Sequence, residues 1–332
     1  HLHSERLRLA QRILSSLPSK LKKVFFVNSG SEANDLALRI ARAYTETRET
    51  IVLDQAYHGH TVATLEVSPY KFEGKGGFQP PSSTHVLPPI KGVHRSQTDA
   101  ALQALPAQKC TFIHESIPSC AGQVMPPDNY FGAIYSLVKS HGGVCIADEV
   151  QSGMGRVGRS FWAFQLFGIE PDIVTIGKPL GNGHPVAAVA VTQELADAFD
   201  NGMEYFNSFG GNPVSCAAAH AVLDAIEEDK LMEHSSNIGQ YWMDQIRSFE
   251  SPSISDVRGS GLFFGIELGG SGAGRKAKYL QQRMLDHRIL TSLDGPMENI
   301  VKIKPPLSIS RAEVDYFVKV FGKVLGEDAF AI

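Results

Sequence analysis

The sequence predicts an α/β fold: a mostly parallel, doubly wound sheet followed by a smaller C-terminal α+β domain. Three observations carry that reading. Between about residues 24 and 192, short β-rich runs alternate with helical segments, the order that builds strand, helix, strand units. Several of these runs are apolar at every position, as strands covered on both faces must be. Beyond about residue 213 the alternation gives way to two long helical stretches and then a few strands. With 332 residues the chain can bury two cores, and the expected division is 1–220 and 221–332.

Taken from the start, Leu7, Ala10, Ile13, Leu14 and Leu17 recur at helical spacing, so an amphipathic helix opens the chain. So abrupt a start suggests a fragment of a longer protein. Strands are expected at 24–27, 51–54, 111–115, 144–148, 173–176 and 187–191, and helices at 31–44 and 130–140. Residues 71–98 are rich in Gly, Pro, Ser and polar side chains and read as a long surface loop. In the second domain 254–268 is strand material, a helix lies near 276–287, and 300–303 is a further strand. Ser310 and Glu313 have the spacing of a capping box, which announces a terminal helix.

Composition narrows the function classes. Hydrophobic residues make up 43% and charged residues 20% of the chain, ordinary for a globular enzyme. A formal net charge of −4 without blocks of like charge makes no electrostatic case for nucleic acid. No apolar run approaches a membrane span, and residues 1–5 have neither signal-peptide nor transit character. Cys110, Cys120, Cys145 and Cys216 show no paired spacing, which indicates neither zinc nor a disulfide framework and fits a reducing compartment. An intracellular location, cytoplasmic or in the mitochondrial matrix, is expected.

The chemistry lies at two strand ends. The run 144–147 ends in Asp148, and the run 173–176 ends, after Gly177, in Lys178. Each reads as a buried strand that delivers a charged group to the carboxyl edge of the sheet, where α/β enzymes place their ligands. A carboxylate and an amine so placed suit pyridoxal phosphate: the amine bonds to the cofactor aldehyde, and the carboxylate keeps the ring nitrogen protonated. The alternative partner for Asp148 is a structural arginine such as Arg156. Between Gly177 and Pro179, Lys178 reads as a desolvated lysine, an environment that favours a neutral amine nucleophile.

Two further segments bear on the same chemistry. Residues 29–34 lie between a strand and a helix whose Leu36, Ala37, Ile40 and Ala41 share a face. Such a turn offers free N–H groups, a hydroxyl and the positive dipole end to a phosphate, or is simply a capped helix start. Tyr57, His58, Gly59 and His60 follow the 51–54 run, and an aromatic there stacks on a planar cofactor or merely covers the sheet. The two histidines have no accompanying carboxylate or cysteine cluster, so no metal is expected.

Together these residues resemble the class III aminotransferases, a family of fold type I pyridoxal phosphate enzymes. The resemblance covers nearly the whole chain, through 28–34, 57–59, Glu115, 148–151, 155–156, Lys178, 209–213 and 257–259. It implies that Gly30 and Ser31 hold the cofactor phosphate, that Tyr57 or His58 covers one ring face, and that Val150 packs on the other. Asp148 would bind the pyridine nitrogen, Gln151 would reach the ring hydroxyl, and Lys178 would form the covalent bond, with Glu115 in the same cofactor set. In the family a threonine from the neighbouring subunit completes the phosphate site, so the resemblance implies a homodimer with its active site at the interface. Here Ser208 stands at that position and keeps the hydroxyl.

The family scaffold supports both transamination and elimination. Segments 68–72, 158–165, 181–185 and 302–306 look like the phospho-lyases acting on ethanolamine phosphate or 5-phosphohydroxylysine, which release phosphate and ammonia. Where amino-acid aminotransferases of the class commonly carry an arginine that clamps the α-carboxylate, this chain has Lys302, a poorer fork. The resemblance thus implies a small phosphorylated amine as substrate, with Lys302 as a substrate-binding residue; the bland alternative is a solvated strand-end charge. A class III ω-aminotransferase and a catalytically inactive paralogue are the competing readings. Two departures from the family stand out: several tens of residues precede this start in the family, and the loop near 90–99 looks shorter. Lys91 and Arg95 in that loop are then solvated charges or contacts for a substrate phosphate.

Overall fold

The computed structural model of the chain describes residues 3–91, 103 and 108–327. Two compact units are present, and the division is not contiguous. The first comprises His1–Ser116, Pro126–Met154 and Trp162–Glu228, and the second Ile117–Met125, Gly155–Phe161 and Asp229–Ile332.

The first unit is built on a seven-stranded sheet. Its strands are β1 (Leu21–Val27), β2 (Thr50–Leu53), β3 (Thr84–Leu87), β4 (Thr111–Glu115), β5 (Val144–Asp148), β6 (Ile173–Ile176) and β7 (Ala187–Thr192), in the order β1-β7-β6-β5-β4-β2-β3. The expected mostly parallel sheet is therefore present. Every residue of β2, β4, β5 and β6 is buried, so these strands are covered on both faces. Strand β7 runs antiparallel to both neighbours. The reason is local: residues 177–186 hold only a 3-10 turn at Lys178–Leu180, too short a link for a helical crossover back to a parallel strand.

Helices flank this sheet: α1 (Ser4–Ser15), α2 (Gly30–Thr45), α3 (Val62–Leu65), α4 (Pro69–Phe72), α5 (Tyr130–Ser140), α6 (Gln193–Phe199) and α7 (Pro213–Glu228). In α2, Leu36, Ala37, Ile40 and Ala41 pack with Val27, Val52, Ile113, Ile146 and Val189. Ser29 caps its start by accepting from Glu32 N, and Glu46 at φ 58 ends it. Two expectations are corrected here. In α1 the buried face is Leu9 and Ile13, continued by Leu17, while Leu7 is 48% exposed. Within the expected loop 71–98, residues 84–87 form an edge strand, paired in register with β2. Its own sequence carries no unbroken apolar run, so the pairing comes from its neighbour.

The second unit packs α8 (Leu231–Arg247), α9 (Ala273–Asp286) and α10 (Arg311–Leu325) with an antiparallel sheet of order β10-β11-β9-β8. The strands are β8 (Ile254–Ser260), β9 (Phe263–Leu268), β10 (Ser292–Asp294) and β11 (Ile300–Ile303). The strand material at 254–268 is thus a hairpin, turning at Gly261, whose φ of 56 suits a glycine. Trp242, Phe264, Ile266, Met284, Phe317 and Phe321 form the core. The capping box is present, with Ser310 accepting from Glu313 N and Glu313 accepting from Ser310 N.

Candidate active site

Three parallel strands end at one level of the first unit's sheet. Glu115 of β4 pairs with Asp148 of β5, and Asp148 pairs with Thr175 of β6. Asp148 is 4% exposed and surrounded by donors. Its Oδ2 accepts from Asn34 Nδ2 at 2.7 Å and from His58 Nδ1 at 2.8 Å, and its Oδ1 accepts from Val150 N at 3.1 Å. A carboxylate can only accept, so the proton of that histidine bond lies on Nδ1. Thr175 Oγ1 donates to Asn34 Oδ1 at 2.7 Å, and Asn34 Nδ2 also reaches the His58 carbonyl at 2.7 Å. Arg156, the alternative partner for Asp148, donates instead to the carbonyls of Leu262 and Pro305.

Glu149, the next residue, is fully buried and holds the following chain segment. Ser116 Oγ, Ser152 Oγ and the backbone N–H groups of Ala163 and Phe164 all donate to it, at 2.8 to 3.3 Å. Burial pushes its carboxyl up to about 7, and these donors oppose the shift. Glu115 is likewise pushed up to about 7 by burial, against the pull of His58 and the Tyr57 N–H at 3.3 Å. Burial drives His114 down to about 3, so it stays neutral, with its ring against Phe112 and Phe131.

A cavity of about 250 Å³ opens at these strand ends. Every predicted cofactor residue lines it except Ser208, and Asn34 and Gly59 join them. Two glycines let backbone come close. A Cβ on Gly30 would lie 2.6 Å from Val150 Cγ1, and one on Gly59, at φ 142, would lie 2.8 Å from Ser31 Oγ. Ser31 Oγ itself accepts from His60 N at 3.1 Å. A cleft lined by a buried carboxylate, a helix N-terminus with its hydroxyl, and a lysine fits a planar phosphorylated ring.

Two assignments are sharpened. Tyr57 keeps a partly exposed ring at the cavity, with Tyr70 edge-on at 6.2 Å and the Lys71 ammonium 5.6 Å from its centroid. His58 has a fully buried side chain engaged with Asp148, which leaves Tyr57 as the aromatic with a partly exposed ring at the cavity. His58 Nε2 has no partner among the described residues. Lys178 is exposed, not desolvated, which corrects the expectation. Its backbone φ of 30 lies in the left-handed region, a strained setting for a lysine and of the kind found at functional sites.

Ser208 is exposed and outside its own chain's cavity. Lys302 lies in the second unit, its Nζ 2.6 Å from Asp294 Oδ2. Lys91 is exposed, whereas Arg95 and most of the 90–99 loop lie outside the described residues. Sequence reasoning missed Asn34, Thr175 and Glu149 as parts of the site. The legible signal for Asn34 was a polar residue at a core position of α2, flanked by the buried Ala33 and Ala37.

Comparison with known proteins agrees with this geometry. The aminotransferase class-III family matches residues 1–325. The chain is 46% identical to an alanine–glyoxylate aminotransferase 2-like protein of Drosophila melanogaster, over 98% of this chain and 72% of the relative. It is 41% identical to ethanolamine-phosphate phospho-lyase homolog 1 of Caenorhabditis elegans, over 95% and 75% respectively. Among solved structures, an Arthrobacter phospholyase in complex with phosphoethanolamine superposes with a TM-score of 0.90 at 34% identity, covering 98% of this chain and 82% of that one. With this fold, this cleft and these relatives, the chain belongs to the class III aminotransferases, whose cofactor is pyridoxal 5'-phosphate.

Proposed function

We propose that this chain is a phospho-lyase that converts a phosphorylated amino alcohol, or 5-phosphohydroxylysine, and water to an aldehyde, ammonia and phosphate. The likeness to a phospholyase solved with phosphoethanolamine carries the reading. Lys302 agrees with it: a lysine already paired with Asp294 is a poor clamp for a substrate carboxylate.

When bound, pyridoxal phosphate supplies an aldehyde for the substrate amine and a ring that accepts electrons. The chain's residues do the rest. Gly30 and Ser31, at the start of α2, hold the cofactor phosphate with N–H groups and a hydroxyl. Asp148 holds the ring nitrogen, itself fixed by Asn34, His58 and Val150 N. Tyr57 and Val150 would flank the ring, Gln151 would lie within reach of its hydroxyl, and Glu115 lines the same cavity. Lys178 Nζ is the attachment point and then the base that takes the proton from the carbon bearing nitrogen. Phosphate departs from the adjacent carbon, so no keto acid is consumed. Lys302 is assigned to the substrate side.

A second copy completes the site. Around Ser208, Phe206, Phe209 and Val214 are 76%, 72% and 68% exposed, an apolar surface that a partner subunit covers. Ser208 then serves the cofactor phosphate of the neighbouring subunit.

The test is to incubate holoenzyme with ethanolamine phosphate and, separately, 5-phosphohydroxylysine, with no keto acid present. Equimolar phosphate and ammonia are expected from one of them, and none from a Lys178→Ala variant. Silence with both, together with amine-dependent turnover once a keto acid is added, establishes the ω-aminotransferase instead. The name of the Drosophila relative favours that second reading.

A further inference from the structure

Within the first unit, Lys71 is held against a wall of the cleft. Helix α4 is latched to the loop that follows β2: Tyr70 N donates to the Ala56 carbonyl at 3.2 Å, and His58 N donates to Ser68 Oγ at 2.9 Å. Ser68 Oγ donates in turn to the Thr64 carbonyl at 2.6 Å, and Ser68 and His58 are both buried, so the latch is part of the packed structure. It sets Tyr70 edge-on to Tyr57, a residue of the cavity wall, with ring centroids 6.2 Å apart. Lys71 lies over both rings, its ammonium 5.6 Å from the centroid of Tyr57 and 5.0 Å from that of Tyr70. The lysine is exposed, and among the described residues it pairs with no carboxylate.

We propose that Lys71 is a specificity-determining residue that binds the phosphate of the substrate at the rim of the cleft. The inference rests on the phosphorylated amine of the reading above. In that reading Lys178, Gly30 and Ser31 serve the cofactor, and the other ionisable groups of the cavity wall include the acids Asp148 and Glu115, so the wall itself offers a second phosphate little. Ethanolamine phosphate is short, and with its amine at the cofactor its phosphate has to meet a cation of the same cleft. The two tyrosine rings fix the Lys71 ammonium without neutralising it, because a cation–π contact leaves the full charge for an anion. No carboxylate has to be displaced first. A compact ammonium also suits a phosphate, whereas a carboxylate is better matched by the fork of an arginine.

Matched ligands isolate the phosphate: ethanolamine phosphate against ethanolamine, and 5-phosphohydroxylysine against 5-hydroxylysine. Titration of holoenzyme with each, followed by the change in its visible absorbance, reads binding whether the reaction proceeds by elimination or by transamination. Wild type is expected to prefer the phosphate ester in at least one pair. Lys71→Met keeps the apolar stem over the rings and removes the charge, and it should cut that preference about tenfold to a hundredfold, the worth of one charge-assisted contact. Affinity for the unphosphorylated partner should stay within about threefold. Lys71→Arg, which keeps the charge, should retain most of the preference. Lys71→Gln, compared with the others for melting temperature and for the same affinities, should repeat the result of Lys71→Met and guards against an effect of misfolding. Equal losses for the two members of a pair, or a phosphate preference that survives both neutral substitutions, would overturn the assignment of Lys71 and leave the phosphorylated substrate standing. If wild type itself shows no phosphate preference in either pair, the phosphorylated substrate fails and the role of Lys71 fails with it.

Discussion

Asp148 meets three donors before any ligand arrives, and they come from a helix, a loop and its own strand end. That convergence fixes the carboxylate in one orientation, which a group that must face a ring nitrogen requires. Glu115 beside it yields a pH prediction. Burial raises its carboxyl from the ordinary 4.5 to about 7, so between those values the folded chain keeps a proton that the unfolded chain has released. The contribution to stability is full below pH 4.5 and is lost as pH rises toward 7. Glu115→Gln removes this slope. From pH 5 to 7, wild type should lose on the order of 2 kcal/mol more stability than the variant, read by urea unfolding at the two values. Glu149, raised likewise, titrates in both proteins and cancels from the comparison.

At the scale of elements, the start of α2 joins fold to site. A methyl group at Gly30 would meet Val150 at 2.6 Å, and alanine is otherwise a good residue for a first helical turn. Gly30→Ala should therefore lower apo stability by about 1–3 kcal/mol and weaken cofactor retention about tenfold, measured by urea unfolding and equilibrium dialysis. Strands β5 and β6 were legible in the sequence because a strand buried on both faces is mostly apolar, whichever face each residue points to. Strand β3 was not, since an edge strand of four residues takes its conformation from β2. Strand β10 has only three residues and no apolar period at all. In α1 the choice of face was not legible either: Leu7 and Leu9 are equal in hydrophobicity, and only the packed partner decides between them.

At the scale of the molecule, the exposed Phe206, Phe209 and Val214 surround a serine that its own cavity does not use. Phe209→Asp should shift the protein from dimer to monomer, seen by sedimentation velocity, and weaken the cofactor phosphate site that Ser208 of the other copy would complete. The site residues from Gly30 to Lys178 could be listed from the chain because they sit at strand ends, at a helix start or in the loops that follow strands, where a residue type marks a function. How they meet could not be read there. The sequence by itself determined the fold class and the family, since apolar runs, strand-end charges and glycine turns are local features with few structural solutions, and it offered the cofactor residues through the resemblance to that family. Only the tertiary structure decided that His58 bonds Asp148, that Asn34 and Thr175 complete the network, that Lys178 is exposed, and that Lys302 is paired with Asp294. Those are facts of distance between residues far apart in the chain, and packing alone sets them.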